Sequence, residues 1–385
     1  MSAATAARVD QRPCVAIAGG GVAALEAALR VRRVAGERPR IVVAAPNDEL
    51  VVLPETVAEP FGWRAALRLP WQAIAGELDL ELRKGAVELV DLERRRLLLS
   101  DDGGEVGYDG LLVATGAKRV PPYAHATVFD PLRTDTGFAG LVRDLEQGFC
   151  RRLAILVPPG PGWPLPAYEL ALLFAARAHE MGIDCAVTLV TEEPAPLAIF
   201  GERASVAVQR LLAESGIETH FSAVAHVEEG RVLVQPAATE LVCDRIVALP
   251  RLVGPALHGL PATVDGWIPI DSSCRVVGTT GHVFCAGDAS AFPVKHGSIA
   301  CAQADAAAEC LATRLGLAHV GCHSFRAVVR AKLFTGGAPL YLEARVIAGR
   351  GFESTVADTP PWGSETKIAG EELSSFVERF AGQEQ

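Results

Sequence analysis

A glycine-rich turn near the start of the chain has the spacing of a pyrophosphate-binding loop. It has the pattern GxGxxA and consists of Gly19-Gly20-Gly21-Val22-Ala23-Ala24. Gly19 permits the sharp turn, Gly21 lets a phosphate approach the backbone, and Ala24 is small enough for the following helix to pack closely on a sheet. Free N–H groups at a helix start favour negative charge, so this turn predicts a dinucleotide site. We assign to that site Gly19, Gly20, Gly21, Ala23 and Ala24.

Strand and helix patterns on either side of the turn place it in a Rossmann-like unit. The apolar run Cys14–Ala18 before it is typical of a strand buried on both faces of a parallel sheet. We predict a helix over Val22–Val34 and a second strand over Ile41–Ala45. The order of strand, turn, helix and strand is the one that a dinucleotide-binding motif requires.

The end of the second predicted strand lacks one expected group. An acid there usually binds the adenosine ribose, but this chain has Ala45 and Pro46 at that place. Asn47 or Asp48 can reach the ribose from the following loop, or backbone and water can bind its hydroxyl groups. We therefore place Ala45 and Pro46 at the cofactor site and leave the ribose ligand open.

Two further strands end in small-residue turns. The apolar stretch Tyr108–Ala117 contains Ala114-Thr115-Gly116, and the apolar run Val283–Ala286 is followed by Gly287-Asp288. A small-residue helix is predicted over Ile299–Leu311, shortly after the second of these turns. Because ligands bind at the carboxyl ends of strands in open α/β sheets, we expect both turns to line one site.

Taken in order, these motifs resemble those of the flavoproteins with two dinucleotide-binding domains, and within them the branch of sulfide:quinone oxidoreductase and type II NADH dehydrogenase. The matching segments are Gly19–Ala24, Asn47–Pro54, Tyr108–Gly116, Val283–Asp288, Phe292–Gly297 and Thr335–Leu342. The resemblance covers nearly the whole chain. It implies that the cofactor is FAD, that Pro54 packs near the flavin, and that Asp288 accepts a hydrogen bond from a ribityl hydroxyl.

The fold that the resemblance implies is α/β, with two Rossmann-like dinucleotide-binding domains and a C-terminal segment. We expect a discontinuous FAD-binding domain from residues 1–117 and 251–320, with a second domain inserted at residues 118–250. Residues 321–385 would form the segment that covers the flavin. The implied partners are a small-molecule electron donor and acceptor; the resemblance is also compatible with a homodimer, although no sequence feature fixes an interface.

The second domain keeps the architecture of a nucleotide-binding unit but not its turn. Strands are predicted over Leu153–Val157 and Ala186–Val190, with a helix over Tyr168–Met181 between them. The intervening segment Pro158–Pro166 is rich in proline, which has no N–H donor, and Trp163 would crowd the backbone on which a pyrophosphate lies. These features disfavour NAD(P)H binding in this domain.

Three side chains are candidates for chemistry beside the flavin. Lys295 precedes a predicted helix, and Lys367 lies in the tail that folds back over the isoalloxazine in the similar flavoproteins. A cation near the flavin would stabilise its anionic reduced form. His296 is the titratable neighbour of Lys295 and is predicted to donate a proton to an acceptor. An exposed lysine or a helix-capping or core histidine would explain the same residues without chemistry.

The nine cysteines do not indicate sulfur chemistry or a metal site. No two of them have CxxC spacing. Cys14 and Cys285 fall in predicted buried strands, and Cys301 and Cys310 lie on opposite sides of one predicted helix. The sequence identifies no partner for the other five, which are Cys150, Cys185, Cys243, Cys274 and Cys322. The persulfide-carrying cysteine pair of sulfide:quinone reductases is therefore not predicted here.

Composition and charge argue against other classes of protein. The chain has 385 residues, a formal net charge of −10 and no basic stripe, so nucleic-acid binding is not expected. No run reaches the roughly 18 apolar residues of a membrane-spanning helix. A helix predicted over Glu371–Phe380 carries an apolar stripe that fits packing on the protein better than docking on lipid. Met1–Asp10 has no apolar signal region, so we expect a cytoplasmic location.

Three functional hypotheses follow from these observations. The first is an FAD-dependent oxidoreductase, similar to sulfide:quinone reductase, that runs a two-electron flavin cycle on an unidentified small substrate. The second is an NAD(P)H-dependent flavoprotein reductase of a quinone or another soluble acceptor. The third is a non-catalytic relative of the same fold that acts as a binding protein, suggested by the absent ribose acid and the proline-filled second turn.

Overall fold

The computed structural model describes residues 12–100, 103–132, 136–347 and 351–383, so Met1–Asp10 lies outside the described residues. The α-helices in these ranges are α1 (Val22–Ala35), α2 (Trp71–Leu78), α3 (Thr136–Glu146), α4 (Leu165–Glu180), α5 (Glu202–Glu214), α6 (Gly297–Arg314) and α7 (Leu373–Gln383). The strands there are β1 (Cys14–Ala18), β2 (Arg40–Ala45), β3 (Glu49–Val51), β4 (Arg68–Pro70), β5 (Leu80–Lys84), β6 (Val87–Asp91), β7 (Arg96–Leu99), β8 (Glu105–Gly107), β9 (Gly110–Val113), β10 (Lys118–Val120), β11 (Thr127–Val128), β12 (Arg152–Leu156), β13 (Ala186–Val190), β14 (Glu218–His220), β15 (Val224–Glu228), β16 (Arg231–Gln235), β17 (Thr239–Val242), β18 (Arg245–Ala248), β19 (Arg251–Val253), β20 (Val283–Cys285), β21 (Val328–Leu333), β22 (Leu340–Ile347) and β23 (Gly351–Ala357). Short 3-10 helices cover Leu53–Phe61, Ala198–Phe200 and Gly287–Ala289.

A five-stranded parallel sheet in the order β20, β9, β1, β2 and β5 is the centre of the first Rossmann-like unit. Strands β1 and β9 are buried along their whole length, as expected for apolar strands covered on both faces. Helices α1 and α6 cover one face, and the antiparallel sheet of β6, β7 and β8 covers the other. Because β20 comes from far along the chain, this unit is discontinuous.

The sequence pattern of Leu82–Val90 is typical of one hairpin strand, but this stretch does not form a single strand. The chain forms β5, which joins the parallel sheet, and then the separate strand β6. Gly85 divides them because its φ of +142° is a conformation that side-chain-bearing residues rarely adopt. The alternation of apolar and polar residues in β5 belongs to a half-exposed edge strand, and this pattern is the same as that of a hairpin.

A second parallel sheet, in the order β11, β18, β12, β13 and β14, is the centre of the inserted unit. Helices α3, α4 and α5 cover one face, and the antiparallel sheet β15–β17 covers the other. Helix α4 begins at Leu165, three residues before the predicted start, with Pro166 in its first turn. Proline is tolerated there because a first-turn N–H has no partner within the helix. The two units confirm the predicted fold class, while the exact domain boundaries remain a prediction.

The C-terminal segment packs on both units. The antiparallel sheet β21–β23 contributes buried residues to the core of the second unit. Helix α7 buries Leu373, Phe376 and Val377 against the first unit, which confirms that its apolar stripe packs on protein. The carboxylate of Glu26 in α1 accepts hydrogen bonds from the first backbone N–H groups of α7, at 2.6 Å from Leu373 N. Among the described helices, none combines the length and apolarity needed to cross a membrane.

One disulfide gives Cys322 a partner that the sequence did not identify. It joins Cys310, near the end of α6, to Cys322 in the loop that follows. The loop turns back on the helix, where the Gly321 N–H donates to the Thr313 hydroxyl at 3.1 Å. The pairing depends on this reversal of the chain, which the spacing of the two cysteines does not reveal.

Candidate active site

A cavity of about 900 Å³ lies where the carboxyl ends of both parallel sheets face each other. Its volume is at the upper end of the range for small-molecule and cofactor sites, about 300–1,000 Å³. Most of the residues predicted from the sequence line it, namely Gly19, Gly20, Gly21, Ala23, Pro46, Pro54, Ala114, Thr115, Gly116, Gly287, Asp288, Lys295, His296 and Lys367. Motifs that are far apart in sequence therefore meet in one place.

Two predicted cofactor residues are not among the described lining residues. Ala24 is fully buried where α1 packs on the sheet, as expected from its small side chain. Ala45 lies behind the turn, 2.8 Å from the place where a Cβ on Gly20 would be. Of the two alternatives for the ribose, Asn47 lines the cavity, whereas Asp48 forms an exposed ion pair with Lys84 at 2.6 Å.

The first glycine turn has the close approaches that its sequence predicts. Gly19 has a φ of +136°, and a Cβ there would lie 2.1 Å from the carbonyl oxygen of Ala114. Gly21 precedes the first residue of α1, and a Cβ there would meet no protein atom within 4 Å. The helix start therefore opens onto the cavity, where its N–H groups can hold a phosphate.

Two features at the other turns also fit a bound dinucleotide. The hydroxyl oxygen of Thr115 is buried in the cavity wall and has no protein partner. Buried polar groups are normally satisfied, so this hydroxyl is a natural contact for a ligand. Gly287 has a φ of +75° and donates its N–H to Gln303 at 2.8 Å, which fixes the turn that carries Asp288. The described residues thus fit FAD.

Lys295 is held on the cavity wall by two contacts. Its Nζ donates to the carbonyl oxygen of Ser290 and lies 3.8 Å from the centre of the Trp267 ring. Burial lowers the pKa of Lys295 to about 8, against the opposing effect of the Asp288 carboxylate. Burial likewise raises the pKa of Asp288. The structure thus places the predicted cation at the site, next to an acid of the flavin motif.

The contacts of His296 favour the alternative of a helix-capping residue over the predicted role as proton donor. Its Nδ1 accepts the Ser298 N–H at 3.2 Å and so caps α6. Burial lowers its pKa to about 3, and the backbone of Arg330 faces the ring as a hydrogen-bond partner. The imidazole is therefore neutral at physiological pH and engaged by the protein, which matches the alternative of a capping histidine.

Lys367 forms a buried ion pair that sequence reasoning missed. Its Nζ is 2.6 Å from a carboxylate oxygen of Glu169, and both side chains are at most 2% exposed. The same carboxylate accepts the Phe334 N–H at 2.9 Å, and Lys367 Nζ lies 3.7 Å from the Phe334 ring centre. Burial raises the pKa of Glu169 and lowers that of Lys367. The sequence signal for this pair was Glu169 itself, an acid next to the apolar run Leu170–Ala176 of α4.

The proline-rich turn of the second unit closes on the cavity. Glu192, just after β13, accepts the Gly160 N–H at 3.1 Å. Trp163 packs on His296 with ring centres 4.2 Å apart, and Gly162 bridges to Val294. A carboxylate and an indole therefore occupy the positions at which a nucleotide-binding turn offers free N–H groups.

Tyr168 and Glu193 form a second polar pair behind that turn. The Tyr168 hydroxyl donates to Glu193 at 2.7 Å, and burial raises the pKa of Glu193 to about 7. Glu193 lines the cavity, but Tyr168 is not among its described lining residues. Of the neighbouring residues Tyr168 and Glu169 at the start of α4, only Glu169 lines the cavity.

The family model described as pyridine nucleotide-disulphide oxidoreductase matches residues 13–309. The chain therefore belongs to this family, and it is an FAD-dependent oxidoreductase. It is 25% identical over 303 residues to the demethylphylloquinone reductase NdbB of Synechocystis sp., covering 72% of each chain.

Solved structures show the same fold at low sequence identity. The sulfide:quinone oxidoreductase of Aquifex aeolicus is similar with a TM-score of 0.81 and 18% identity, over 96% of this chain and 90% of that one. A ferredoxin reductase of Rhodopseudomonas palustris is similar with a TM-score of 0.66 and 18% identity, over 90% and 88% of the two chains. Both likenesses confirm the arrangement of two Rossmann-like units.

Proposed function

We propose that the chain transfers two electrons from a small donor other than NAD(P)H to a quinone-class acceptor, as in the sulfide:quinone reductase branch. FAD, when bound, supplies the two-electron chemistry. The observation that carries the proposal is the turn after β12, where the Glu192 carboxylate accepts a hydrogen bond from the Gly160 N–H. A pyrophosphate at this turn would meet a carboxylate and proline nitrogens without hydrogen, so a dinucleotide donor is disfavoured.

Lys295 and the Glu169–Lys367 pair supply charge and a proton to the site. Lys295 is a cation on the cavity wall, where it stabilises negative charge that develops during reduction. Because burial raises the pKa of Glu169 and lowers that of Lys367, moving the shared proton between their atoms is easier than in water. The pair can therefore deliver a proton as electrons leave the site.

A smaller cavity beside this ion pair supports a flat, apolar acceptor. Its volume is about 320 Å³; Trp63, Phe334 and Leu173 line it with the loop Thr335–Gly337, and the charged side chains of Arg64 and Glu180 also line it. Phe334 separates it from the main cavity, since its N–H and ring contact Glu169 and Lys367. Two of the relatives, the Synechocystis and Aquifex enzymes, are named for quinone substrates.

The acceptor half of the proposal is tested by reoxidation of the chemically reduced holoenzyme. Under nitrogen, protein reduced with dithionite is mixed with a water-soluble naphthoquinone while flavin absorbance is followed. We expect rapid reoxidation, and a loss of at least tenfold in Trp63→Ala because the apolar wall is removed. Trp362→Ala, which lies outside both linings, is the matched control. Equal rates in all three proteins would contradict the assigned acceptor cavity.

NAD(P)H-dependent reduction is the second candidate, and one observation favours it. Glu192 follows β13, which is the position of the acid that binds an adenosine ribose in a nucleotide-binding unit. Rotation of this side chain away from Gly160 would free the N–H for a phosphate. The third hypothesis, a non-catalytic relative, is not supported by the family to which the chain belongs. Cytoplasmic location and a homodimer remain predictions.

A further inference from the structure

A buried carboxylate joins the helix that begins at the glycine turn to the C-terminal tail. Glu26 lies in α1, one turn after Val22, which lines the flavin cavity. Glu26 is fully buried. Its two carboxylate oxygens accept different backbone N–H groups, that of Glu372 at 3.0 Å and that of Leu373 at 2.6 Å. Because Leu373 is the first residue of α7, Glu26 caps this helix from another helix.

The cap accounts for an acid in the core of the first unit. Burial raises the pKa of Glu26, and the N–H groups of Glu372 and Leu373 oppose that rise. A carboxylate removed from water needs such donors, and the positive end of the α7 dipole adds a favourable interaction. If α7 moved away, Glu26 would lose both donors. Burial of Glu26 and docking of α7 therefore depend on each other.

Arg30, one turn further along α1, strengthens the same junction. Its guanidinium lies 2.8 Å from a carboxylate oxygen of Glu372, 3.2 Å from Glu371 and 2.8 Å from Glu309 of α6. Asp305 of α6 is 3.7 Å away. The Arg30 side chain is only 12% exposed, so salt screens these ion pairs weakly. Helices α1 and α6 and the start of α7 are thus joined around one cation.

The chain just before α7 approaches Glu26 too closely for a side chain. A Cβ on Gly370 would lie 2.9 Å from Glu26 Oε2 and 2.8 Å from the Leu373 Cβ. That oxygen accepts the Leu373 N–H, so it cannot move aside without losing the cap. A methyl group at Gly370 should therefore loosen this junction.

The tail that leads into the junction is also part of the wall of the flavin cavity. Lys367 and Ile368, a few residues before α7, line the cavity. Ile368 packs on the start of α6, where a Cβ on Gly297 would lie 3.0 Å from its side chain. Lys367 is paired with Glu169 of the second unit at 2.6 Å. The tail is therefore held to the second unit through Lys367 and to the first unit through Glu26.

We propose that Glu26 is a positioning residue of the cofactor site, which docks α7 on α1 and so holds Lys367 and Ile368 in the cavity wall. Val22 and Glu26 belong to one helix, so the helix start at the cavity and the acid that docks the tail form one rigid body. Docking of the tail and binding of FAD therefore favour each other. The proposal concerns retention of FAD and is independent of the electron donor and acceptor.

The rate at which the holoenzyme releases FAD tests this role. Diluted holoenzyme is followed by the fluorescence of free flavin, and amide hydrogen exchange of the same sample locates any opening. Glu26→Gln keeps the shape of the side chain but removes its charge and one acceptor. We expect release about tenfold faster in Glu26→Gln and in Gly370→Ala, with faster exchange in residues 366–376 and unchanged exchange in β12 and β13.

A double variant separates positioning from a general loss of stability. Ile368→Ala removes an apolar contact of the tail with the cavity wall, so it should also speed release. If Glu26 acts by holding this part of the tail, adding Glu26→Gln to Ile368→Ala should speed release by much less than the product of the two single effects.

The matched control is Glu77→Gln, the same replacement at an exposed carboxylate that pairs with Arg379 of α7 at 3.1 Å. Exposed ion pairs contribute little, so this variant should release FAD as the wild type does. Release at the wild-type rate in Glu26→Gln or Gly370→Ala, faster exchange spread over both units, or effects that multiply in the double variant would overturn the proposal. Should Glu26→Gln not fold, Gly370→Ala, alone and with Ile368→Ala, decides by the same measurements.

Discussion

Lys295 is a cation that burial makes easier to deprotonate. Its pKa is lowered from 10.5 to about 8 because desolvation outweighs the attraction of Asp288. As the pH rises through about 8, the folded protein loses this charge before the unfolded chain does. Both its electrostatic role and its effect on stability therefore change in an accessible pH range.

We expect reoxidation by quinone to be fastest below pH 8 and to fall about tenfold per pH unit above it, since the charged form of Lys295 is the active one. The pH–rate profile of the dithionite-reduced holoenzyme measures this. Lys295→Arg keeps the charge and should remove the fall, whereas Lys295→Met should be slow and flat. A profile of Lys295→Met that retains the wild-type fall would assign it to another group.

The same residue predicts a pH dependence of stability. Between about pH 8 and 10.5 the unfolded chain binds more protons at this site than the folded protein does. The contribution of Lys295 to the free energy of unfolding therefore rises with pH across this window. The same stabilisation is lost again as the pH falls through about 8. Urea midpoints of wild type and Lys295→Met across the window measure it.

Replacing Lys367 alone should have a large effect on the free energy of unfolding, because Lys367 forms a buried ion pair with Glu169. Removal of one partner leaves a buried charge without compensation, so Lys367→Met should lower the free energy of unfolding by about 3–5 kcal/mol. In Lys367→Met/Glu169→Leu both charges are absent, so much of the loss should be recovered. Urea unfolding of the two variants and the wild type gives the comparison; a double variant less stable than Lys367→Met would contradict this account.

At the scale of elements, the first strand–turn–helix could be predicted because its apolar runs and glycine spacing are local properties. Strand β5 could not, since an alternating edge strand of a parallel sheet has the same pattern as a hairpin strand. Helix α4 begins three residues before the predicted start and has Pro166 in its first turn, where a backbone nitrogen needs no partner within the helix.

The turn before α1 gives a prediction at this scale. Gly19→Ala forces a Cβ to within 2.1 Å of the Ala114 carbonyl and strains a positive φ, so we expect a loss of about 3 kcal/mol in stability and a protein without flavin. Gly21→Ala is the matched control, since its methyl group meets only the open cavity. It should fold with normal apoprotein stability but bind less FAD, as measured by absorbance and urea unfolding.

At the scale of the whole molecule, the site is built from segments that meet only in the folded chain. Glu169 comes from the second unit, Phe334 from the C-terminal sheet and Lys367 from the tail. The sequence showed each cofactor motif, because each is a short local pattern. It did not show the Glu169–Lys367 pair, since this contact depends on tertiary proximity between distant residues.

The most direct test of the central claim is an anaerobic mix of the flavin-loaded protein with NADH, and separately with NADPH, followed at the flavin absorbance band. The proline-rich turn and the Glu192–Gly160 hydrogen bond predict that the flavin stays oxidised over many seconds with either nucleotide. Rapid bleaching by NADH or NADPH would contradict the account and establish the nucleotide as the electron donor.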